Sequence, residues 1–275
     1  MDRFPSGITN HEASLPARVV SLQPSATDIL ARLGLLDRVV AATRHCVTVC
    51  PAGAGRLLVE DSWTAQAGQI IAARPDLVIA AVPYQVEAIA EILKAGIRFV
   101  ALAPRTLADI YGDIALLANI FDRHDTGQQV IACMRAAIAS VRNRARSAPR
   151  PRVYCEEWGK PMLRSQRWVA ELVEAAGGEF FGAPATQTSA DEVAAADPDV
   201  MICAWCGAGD RVPLAKLVRE RNWTELRAIR ARRVFAIRDE LLTTPSPILL
   251  DGLRALAAAL HPDIFPVAPG LRRLE

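Results

Sequence analysis

The chain has 275 residues, of which 51% are hydrophobic and 23% are charged, and its formal net charge is +2. This composition is typical of a folded protein with one large domain or two ordinary ones, and it excludes long disordered segments. A charge so close to zero gives no reason to expect a nucleic-acid partner, and six cysteines are too few for a disulfide scaffold in a chain of this length.

The location is predicted from the apolar segments of the sequence. No apolar run reaches the roughly 18 residues that a membrane span needs, so we expect no membrane insertion. Residues 1–17 read as a polar tail without the apolar core of about 7 to 15 residues that a secretory signal contains. We therefore expect a cytoplasmic protein, with a periplasmic location as the alternative if a leader is missing from the chain.

In the first half of the chain, short apolar runs alternate with helical segments. Strands are predicted at residues 18–22, 39–42, 77–82 and 97–102, and helices at 65–73, 85–95 and 107–121. Another helix is expected between Ser25, a good N-terminal cap, and Gly34, and residues 47–62 are predicted to be an irregular loop. Strands alternating with helices over short connections indicate a parallel, doubly wound sheet.

A long helix is predicted near the middle of the chain. Apolar residues lie on one face of residues 126–146, and the prolines at 149 and 151 end the helix because they lack an N–H group. A helix of about 21 residues is roughly 31 Å long. It could join two bodies or pack inside one domain. The arginines that follow along its end, at positions 142, 144, 146, 150 and 152, are expected to be a solvated helix terminus.

Two segments of similar sequence lie on either side of this helix, RPDLVIA at residues 74–80 and DPDVMIC at residues 197–203. A repeat at such a long spacing indicates two similar lobes, because the repeats of a solenoid are much shorter. The predicted organisation is a tail at 1–17, an N-terminal lobe at 18–124, a connecting helix at 125–148, a C-terminal lobe at 149–265 and a tail at 266–275.

The second half repeats the plan of the first. Strands are predicted at residues 153–155, 200–204 and 234–237, helices at 168–176, 192–195, 214–219 and 246–260, and loops at 156–166 and 206–210. In open parallel sheets, ligands bind beyond the carboxyl ends of the strands. Two such lobes facing each other would form a ligand cleft.

Catalytic signatures are absent from the sequence. It contains no dinucleotide-binding or Walker motif, no GxSxG elbow and no HExxH motif, so we do not expect an enzyme. Cys203 and Cys206 have the spacing of a redox pair, but Cys203 falls within a strand. They are either a redox pair or one buried and one loop cysteine, and Cys206 is expected to be the more reactive thiol because it lies near loop N–H groups.

A second group of candidate ligands comprises His45, Cys46 and Cys50. Imidazole and thiolate are good ligands for zinc, copper or cobalt, and Cys206 could complete such a site across the cleft. The alternative is that these are ordinary loop residues, since the spacing matches no zinc motif.

Aromatic residues are concentrated in the predicted loops at strand ends. Trp63, Tyr84, Trp158 and Trp205 could contact a large, flat, partly apolar ligand, or they could pack the lobe edges, as we expect of Trp168. The Glu156–Glu157 pair could anchor polar groups of that ligand or could be an exposed acidic pair.

Several segments resemble the cobalamin/iron-siderophore class of periplasmic binding proteins, which is the helical-backbone, class III group. They are RVVSLQPSATDILARLG at 18–34, WVAELVEAAGG at 168–178, PDVMI at 198–202, WTELRAI at 223–229, RVFA at 233–236 and PILLDG at 247–252. The resemblance is closest to the cobalamin-binding-protein branch of ABC transporter substrate-binding proteins, through His45-Cys46, Glu157-Trp158 and Cys206-Gly207.

This resemblance implies two Rossmann-like α/β lobes joined by a single long backbone helix, with cobalamin or another metal chelate bound in the cleft between them. The flat faces of the ligand would contact Trp63, Tyr84, Trp158 and Trp205, its polar arms would bond Ser25, Thr27, Arg44 and Glu157, and a metal would lie near His45, Cys46 or Cys206.

Delivery to an ABC importer would require an exposed acidic residue on each lobe, and this set is incomplete. Glu87 fits the first lobe, but the corresponding loop of the second lobe offers only Asp210. The alternative function is a cytoplasmic thiol-based metal-handling protein or enzyme that uses His45, Cys46, Cys50 and Cys206 on the same fold.

Overall fold

Each half of the chain forms a sheet flanked by helices in the computed structural model, which describes residues 15–81 and 85–275. The first lobe comprises β1 (Val19–Ser21), α1 (Pro24–Arg32), β2 (Val39–Ala42), α2 (Arg44–Val49), β3 (Leu57–Leu58), α3 (Ala67–Ala72), β4 (Leu77–Ala81), α4 (Val86–Lys94), β5 (Arg98–Leu102) and α5 (Leu107–Ile120). Its five strands are all parallel, in the order β3-β2-β1-β4-β5. Helices cover both faces of this sheet, so its central strands β1 and β4 are completely buried and uniformly apolar or small.

The second lobe is built on a six-stranded mixed sheet. It comprises β6 (Arg152–Gly159), β7 (Met162–Arg164), α7 (Arg167–Ala175), β8 (Glu179–Phe180), α8 (Ala190–Ala196), β9 (Val200–Cys203), α9 (Leu214–Glu220), α10 (Arg227–Arg230), β10 (Val234–Ile237), α11 (Glu240–Thr243), α12 (Leu249–Leu260) and β11 (Leu271–Arg273), after the interlobe helix α6 (His124–Ala145). The strand order is β11-β10-β9-β6-β7, with β8 also paired to β6. The predicted fold class, two doubly wound α/β lobes joined by one long helix, is confirmed.

Four local predictions from the sequence are wrong. Residues 156–166 form a β-hairpin instead of a loop, because β6 continues to Gly159 and pairs antiparallel with β7. Residues 44–49 form a helix whose first turn is capped by the Thr43 hydroxyl, which accepts from the Cys46 N–H at 3.1 Å. Ser25 is not a cap, since α1 begins one residue earlier. The final residues are not a tail, because β11 pairs antiparallel with β10.

Helix α6 lies between the two lobes and contributes to a single apolar core. Its residues Ile131, Met134 and Ile138 are buried, and they belong to one cluster with residues of both sheets. The helix packs against α5 of the first lobe and against α7 and α12 of the second. The two lobes therefore share a core, which makes their relative movement costly because packed interiors deform little.

Polar contacts also join the lobes directly. The Asp28 carboxylate on α1 is almost fully buried and accepts hydrogen bonds from the Ser246 hydroxyl at 2.7 Å and the Ile248 N–H at 3.1 Å, at the start of α12. Glu171 on α7 accepts from the Leu107 N–H at 2.8 Å, at the first residue of α5. Both carboxylates lie at helix N-termini, where the helix dipole favours negative charge.

In the described part of the chain, none of the helices has both the length and the apolar character that crossing a membrane requires.

Candidate functional site

The candidate site lies at the carboxyl ends of the parallel strands, the edge at which ligands bind in open α/β sheets. In the second lobe, β6 and β9 end beside each other and deliver Glu156, Glu157, Trp158 and Trp205 to this edge. The parallel pairing of β6 and β9 explains this placement. Two antiparallel strands would end at opposite edges of the sheet and would separate these side chains.

A buried ion pair fixes the orientation of Trp205. Glu156 is fully buried, and its carboxylate accepts two hydrogen bonds from Arg221, at 2.6 and 3.0 Å. The same carboxylate accepts from the Tyr154 hydroxyl at 2.5 Å and from the Trp205 indole N–H at 2.8 Å. All the acceptor positions of this buried charge are thus used, and the indole is held by a group that cannot move without breaking the network.

The Arg221 side chain is held from other sides as well. Its guanidinium donates to the Gly159 carbonyl at 3.2 Å and stands 4.8 Å from the ring centre of Trp223. Tyr154 packs edge-on against the same ring, with centres 6.1 Å apart. Burial raises the pKa of Tyr154, and the Glu156 carboxylate adds to this effect, so the phenol stays protonated and donates.

Gly159 allows the Trp205 ring to pack directly on the backbone of β6. A Cβ atom at position 159 would lie 2.5 Å from Cζ2 of this ring, which is too close for any side chain. Next to it, Trp158 is 45% exposed and its indole N–H donates to the Lys160 carbonyl at 2.9 Å. These residues line a cavity of about 670 Å³ together with residues of α9. Two tryptophans with fixed N–H partners therefore stand beside a cavity of the size that small-molecule ligands occupy.

The loop after β9 is held by Asp239, a residue that the sequence did not indicate. The Asp239 carboxylate accepts from the Gly207 N–H at 2.8 Å and the Gly209 N–H at 2.7 Å. Both glycines have positive φ angles, +77° and +60°, so the loop reverses direction in a conformation that favours glycine. Burial raises the pKa of Asp239, and the two N–H groups oppose this shift.

Glu157 and Cys206 lie beside each other at this edge. Glu157 accepts from the side-chain amide of Gln166 at 2.9 Å, and the Cys206 sulfur is 4.0 Å from Glu157 Oε1. Burial raises the pKa of Glu157 despite these hydrogen bonds. Desolvation of the sulfur, together with the Glu157 and Asp239 carboxylates, raises the pKa of Cys206 to about 12. The expectation of a low-pKa, reactive Cys206 is therefore wrong.

Two candidate residues of the first lobe, Trp63 and Arg44, are exposed. Trp63 is 66% exposed, and its backbone N–H bonds the Asp61 carboxylate at 3.0 Å while its carbonyl accepts from Gln85. Arg44 is exposed at the start of α2. Tyr84 lies outside the described residues.

Two of the proposed polar contacts are buried instead of facing the cleft opening. Ser25 and Thr27 are 2% and 1% exposed, and the Thr27 hydroxyl donates to the Ser21 hydroxyl at 2.8 Å. These residues join α1 to the end of β1. The sequence showed that they follow a strand but not that the helix would bury them.

The structure does not bring the proposed metal ligands together. Cys46 is fully buried, where its sulfur accepts from the Thr43 hydroxyl at 3.2 Å. His45 points outward and lies 3.8 Å from an Asp61 oxygen. Burial raises the pKa of Cys50. Within residues 15–81 and 85–275, no three His, Cys, Asp or Glu side chains form a group that could hold a metal ion.

Cys203 and Cys206 do not form a redox pair either. Cys203 is buried within β9, and burial raises its pKa, whereas Cys206 is exposed in the following loop. This arrangement is the second of the two alternatives that the sequence left open, one buried strand cysteine and one loop cysteine.

The chain matches known proteins along most of its length. A family model described as "Periplasmic binding protein" matches residues 19–241. An uncharacterized ABC transporter substrate-binding lipoprotein of Bacillus subtilis is 22% identical over 91% of this chain and 82% of its own length. A vitamin B12-binding protein of Vibrio parahaemolyticus is 26% identical over 86% of both chains. The crystal structure of a periplasmic heme-binding protein from Pseudomonas aeruginosa superimposes with a TM-score of 0.85 and 21% identity, covering 95% of this chain and 99% of the other.

These matches overturn the predicted cytoplasmic location. That prediction depended on the polar N-terminal tail, but the matching family consists of periplasmic binding proteins and one relative is a lipoprotein. A periplasmic or extracellular location is supported instead. With a family model that covers four-fifths of its length and the expected two-lobed architecture, this chain belongs to the periplasmic binding protein family.

Proposed function

We propose that this protein is the non-catalytic substrate-binding component of an ABC importer and that its cleft holds a corrinoid such as cobalamin. The observation that carries the proposal is the pair of indoles, Trp158 and Trp205, beside a cavity of about 670 Å³, with the Trp205 indole locked by the buried Glu156–Arg221 pair. A flat, partly apolar macrocycle gains most from aromatic faces that are already oriented, because little side-chain entropy is lost on binding.

The relatives support this choice of ligand class. Proteins named for vitamin B12 binding match most of the chain, and a heme-binding protein shares its fold. Both ligands are flat metal chelates. Heme is therefore the second candidate, and the two differ in their side groups, since heme carries two carboxylates and cobalamin carries mainly amides.

The polar residues at the edge of β6 favour the amide-bearing ligand. Glu157 is a half-buried carboxylate with a raised pKa, and it has an exposed neighbour in Cys206. Amide N–H groups would donate to Glu157, whereas carboxylates would meet a like charge. From the first lobe, we propose that the exposed residues Trp63 and Arg44 complete the contact.

The test is a titration of the purified, reduced protein with cobalamin, with heme as the comparison ligand. Tryptophan fluorescence, corrected for absorption by the ligand, should show saturable one-to-one quenching at micromolar concentrations or below. In calorimetry, Trp158→Ala with Trp205→Ala should weaken cobalamin binding at least about tenfold, which is about 1.4 kcal/mol. Trp158→Phe with Trp205→Phe is the matched control that keeps both aromatic faces. Unchanged affinity in the alanine variant would refute the assignment of the site.

Delivery to a transporter is tested separately. Glu87 is exposed in the first turn of α4, and Asp210 is exposed in the loop that Asp239 holds. We expect Glu87→Ala with Asp210→Ala to leave cobalamin affinity unchanged while reducing stimulation of the importer's ATPase. Full stimulation by this variant would show that docking uses other residues.

The thiol-based alternative is not favoured. It needs His45, Cys46, Cys50 and Cys206 in one site, and the structure buries Cys46 in the first lobe while Cys206 is exposed in the second.

A further inference from the structure

A second cavity, larger than the one beside the tryptophans, lies at the opposite end of the second lobe. It has a volume of about 1070 Å³ and is bounded by β10 and β11, by the carboxyl-terminal end of α12 with the loop that follows it, and by residues 148–151 after α6. Pro151 and Asp199, which also line it, immediately precede β6 and β9, so the cavity lies beyond the amino-terminal ends of those strands. The groove is therefore separate from the ligand cleft, and the proposed function makes no use of it.

Three arginines line this cavity: Arg150, Arg233 and Arg273. We call the cavity the basic groove. Backbone carbonyls position all three: Arg150 donates to Gly178 at 3.1 Å, Arg233 to Leu260 at 2.7 Å and to Ala259 at 3.4 Å, and Arg273 to Arg232 at 2.5 Å. A guanidinium has five N–H donors, so each keeps several for a ligand.

Two carboxylates, Asp199 and Asp263, line the basic groove beside its three guanidiniums. No carboxylate within the described ranges forms an ion pair with Arg150, Arg233 or Arg273. Asp199 lines the groove, but its oxygens are taken by the Arg152 N–H and the Arg227 guanidinium, both at 2.8 Å. Many other arginines of this lobe do form an ion pair, whereas these three do not, and three arginines against two aspartates leave the lining with a net positive charge.

Arg233 and Arg273 are close enough to influence each other. Burial lowers the pKa of Arg233; the Asp199 carboxylate opposes this effect, and the charge of Arg273 adds to it. Like charges held together in a partly buried position are costly unless an anion binds between them. The fold thus holds two guanidiniums in an arrangement that a bound anion would relieve.

The remaining walls of the groove are apolar. Phe235 and Phe265 form its floor and are 8% and 5% exposed, and Arg273 stands over the Phe235 ring at 5.8 Å. Ile264 and Val267 form the rim, and Val267 is 88% exposed. The β10–β11 pairing explains why charge and apolar surface meet here, since Arg273 is the register partner of Phe235 and both side chains project from the same face of the sheet.

We propose that the basic groove binds a single-chain anionic amphiphile, with its carboxylate or phosphate bound by Arg150, Arg233 and Arg273 and its apolar tail lying along Phe235, Ile264 and Val267. The charged part and the apolar part of the groove together indicate a ligand that has both an anionic group and a hydrocarbon chain. A plain inorganic anion would leave the apolar walls uncovered, and a neutral hydrocarbon would leave the guanidiniums without a counter-charge.

The experiment uses the full chain and decyl phosphate below its micellar concentration, measured by calorimetry. We expect one-to-one, saturable binding that weakens as salt is added, and inorganic phosphate should bind at least about tenfold more weakly. Arg150→Gln with Arg273→Gln should lower the affinity for decyl phosphate at least about tenfold. Arg233 is left in place because it also bonds the end of α12.

A matched control removes the same number of charges from the same lobe. Arg230→Gln with Arg254→Gln replaces two exposed arginines that are already paired, with Glu225 and Asp251, and should change the affinity by less than about twofold. Equal losses in the two variants would show a nonspecific charge effect and overturn the proposal, as would the absence of saturable binding.

Two further outcomes locate the ligand. Decyl phosphate should still bind when Trp158 and Trp205 are replaced by alanine, because the cleft is a different site, and loss of binding in that variant would overturn the proposal. Binding to vesicles that contain phosphatidylglycerol is the second measurement. Association with vesicles but not with monomeric decyl phosphate would mean that this face recognises a membrane surface instead, which also overturns it.

Discussion

The two lobes present their cleft-edge residues in different ways. In the second lobe, Trp205 is bonded to a buried carboxylate that is itself held by Arg221 and Tyr154. In the first lobe, Trp63 is 66% exposed, and its hydrogen bonds to other described residues are made by its backbone. The Trp205 side chain is therefore held in place without a ligand, whereas the Trp63 side chain can adjust its position. A preorganised half reduces the entropy lost on binding, while an adjustable half tolerates variation in the ligand.

The largest effect should come from breaking the anchor of the second lobe. Arg221→Met leaves the Glu156 carboxylate buried without its counter-charge, so we expect a loss of about 3–5 kcal/mol in the free energy of unfolding, measured by urea denaturation. Glu156→Gln with Arg221→Met removes both charges and should recover most of this loss. Arg44→Ala on the first lobe, an exposed position, should change stability by no more than about 0.5 kcal/mol. Similar losses at the two arginines would contradict the comparison.

The next effect concerns the carboxylate that links the lobes. Asp28→Ala removes the acceptor of two buried donors, the Ser246 hydroxyl and the Ile248 N–H, and should cost about 2 kcal/mol in the same measurement. Asp28→Asn keeps one acceptor oxygen and should cost less. A stability equal to that of the parent protein in the alanine variant would mean that water replaces Asp28 at no cost and that the lobes are not joined there.

Two glycines allow a matched comparison between the lobes. Gly159→Ala forces a Cβ atom against the Trp205 ring, so we expect a loss of about 1–2 kcal/mol in stability and weaker cobalamin binding. Gly68→Ala in α3 has open space around it and an ordinary φ angle, and it should stabilise the protein by about 0.5 kcal/mol through better helix propensity. If Gly159→Ala bound cobalamin with unchanged affinity, the position of Trp205 would not matter for the ligand.

The last prediction is a pH-dependent gain in stability in the first lobe. Burial, with a contribution from Asp109, raises the pKa of Asp113 on α5 to about 6, and the described residues provide it with no hydrogen bond or ion pair. Because the folded pKa is raised, its protonated form stabilises the fold below about pH 4, and this contribution is lost as the pH rises through 6.

Asp113→Asn should therefore stabilise the protein by about 1 kcal/mol at pH 7 and have little effect at pH 3.5, after allowance for solvent screening. Unfolding curves at the two pH values measure this difference. A stabilisation that is the same at both values would show that the charge of Asp113 is not its cause. Removing the unpaired Asp113 carboxylate should thus raise the free energy of unfolding, whereas removing Arg221, the partner of the buried Glu156 carboxylate, should lower it.

Periodic features of the sequence predicted most of the fold. Apolar runs of three to six residues identified the parallel strands except the two-residue strands β3 and β8, and the spacing of apolar residues identified α6 to within two residues at its amino end. The similar segments at residues 74–80 and 197–203 identified the two lobes. These signals are local, since each depends on neighbours within one strand or one helix.

The parts that could not be predicted depend on distant partners. Asp28 and Ser246 are 218 residues apart, and Glu156 and Arg221 are 65 residues apart. Glu156 read equally well as an exposed acidic residue, because nothing near it in the sequence reveals the arginine that neutralises it. Asp239 was missed for the same reason, since the glycines it holds lie 30 and 32 residues earlier. Ser25 and Thr27 were expected at the ligand because their burial is decided by packing, which the strand-end position does not specify.

The core that α6 shares with both lobes predicts that ligand binding changes the local stability of residues far from the ligand. Because one apolar cluster includes residues of both sheets and of the helix between them, neither lobe should open without the other. A ligand in the cleft would then slow hydrogen exchange at the amides of Met134 and Ile138, although these residues do not contact the ligand. The gain in protection free energy should equal the gain at the strand ends. Exchange protection in α6 would report occupancy of the cleft.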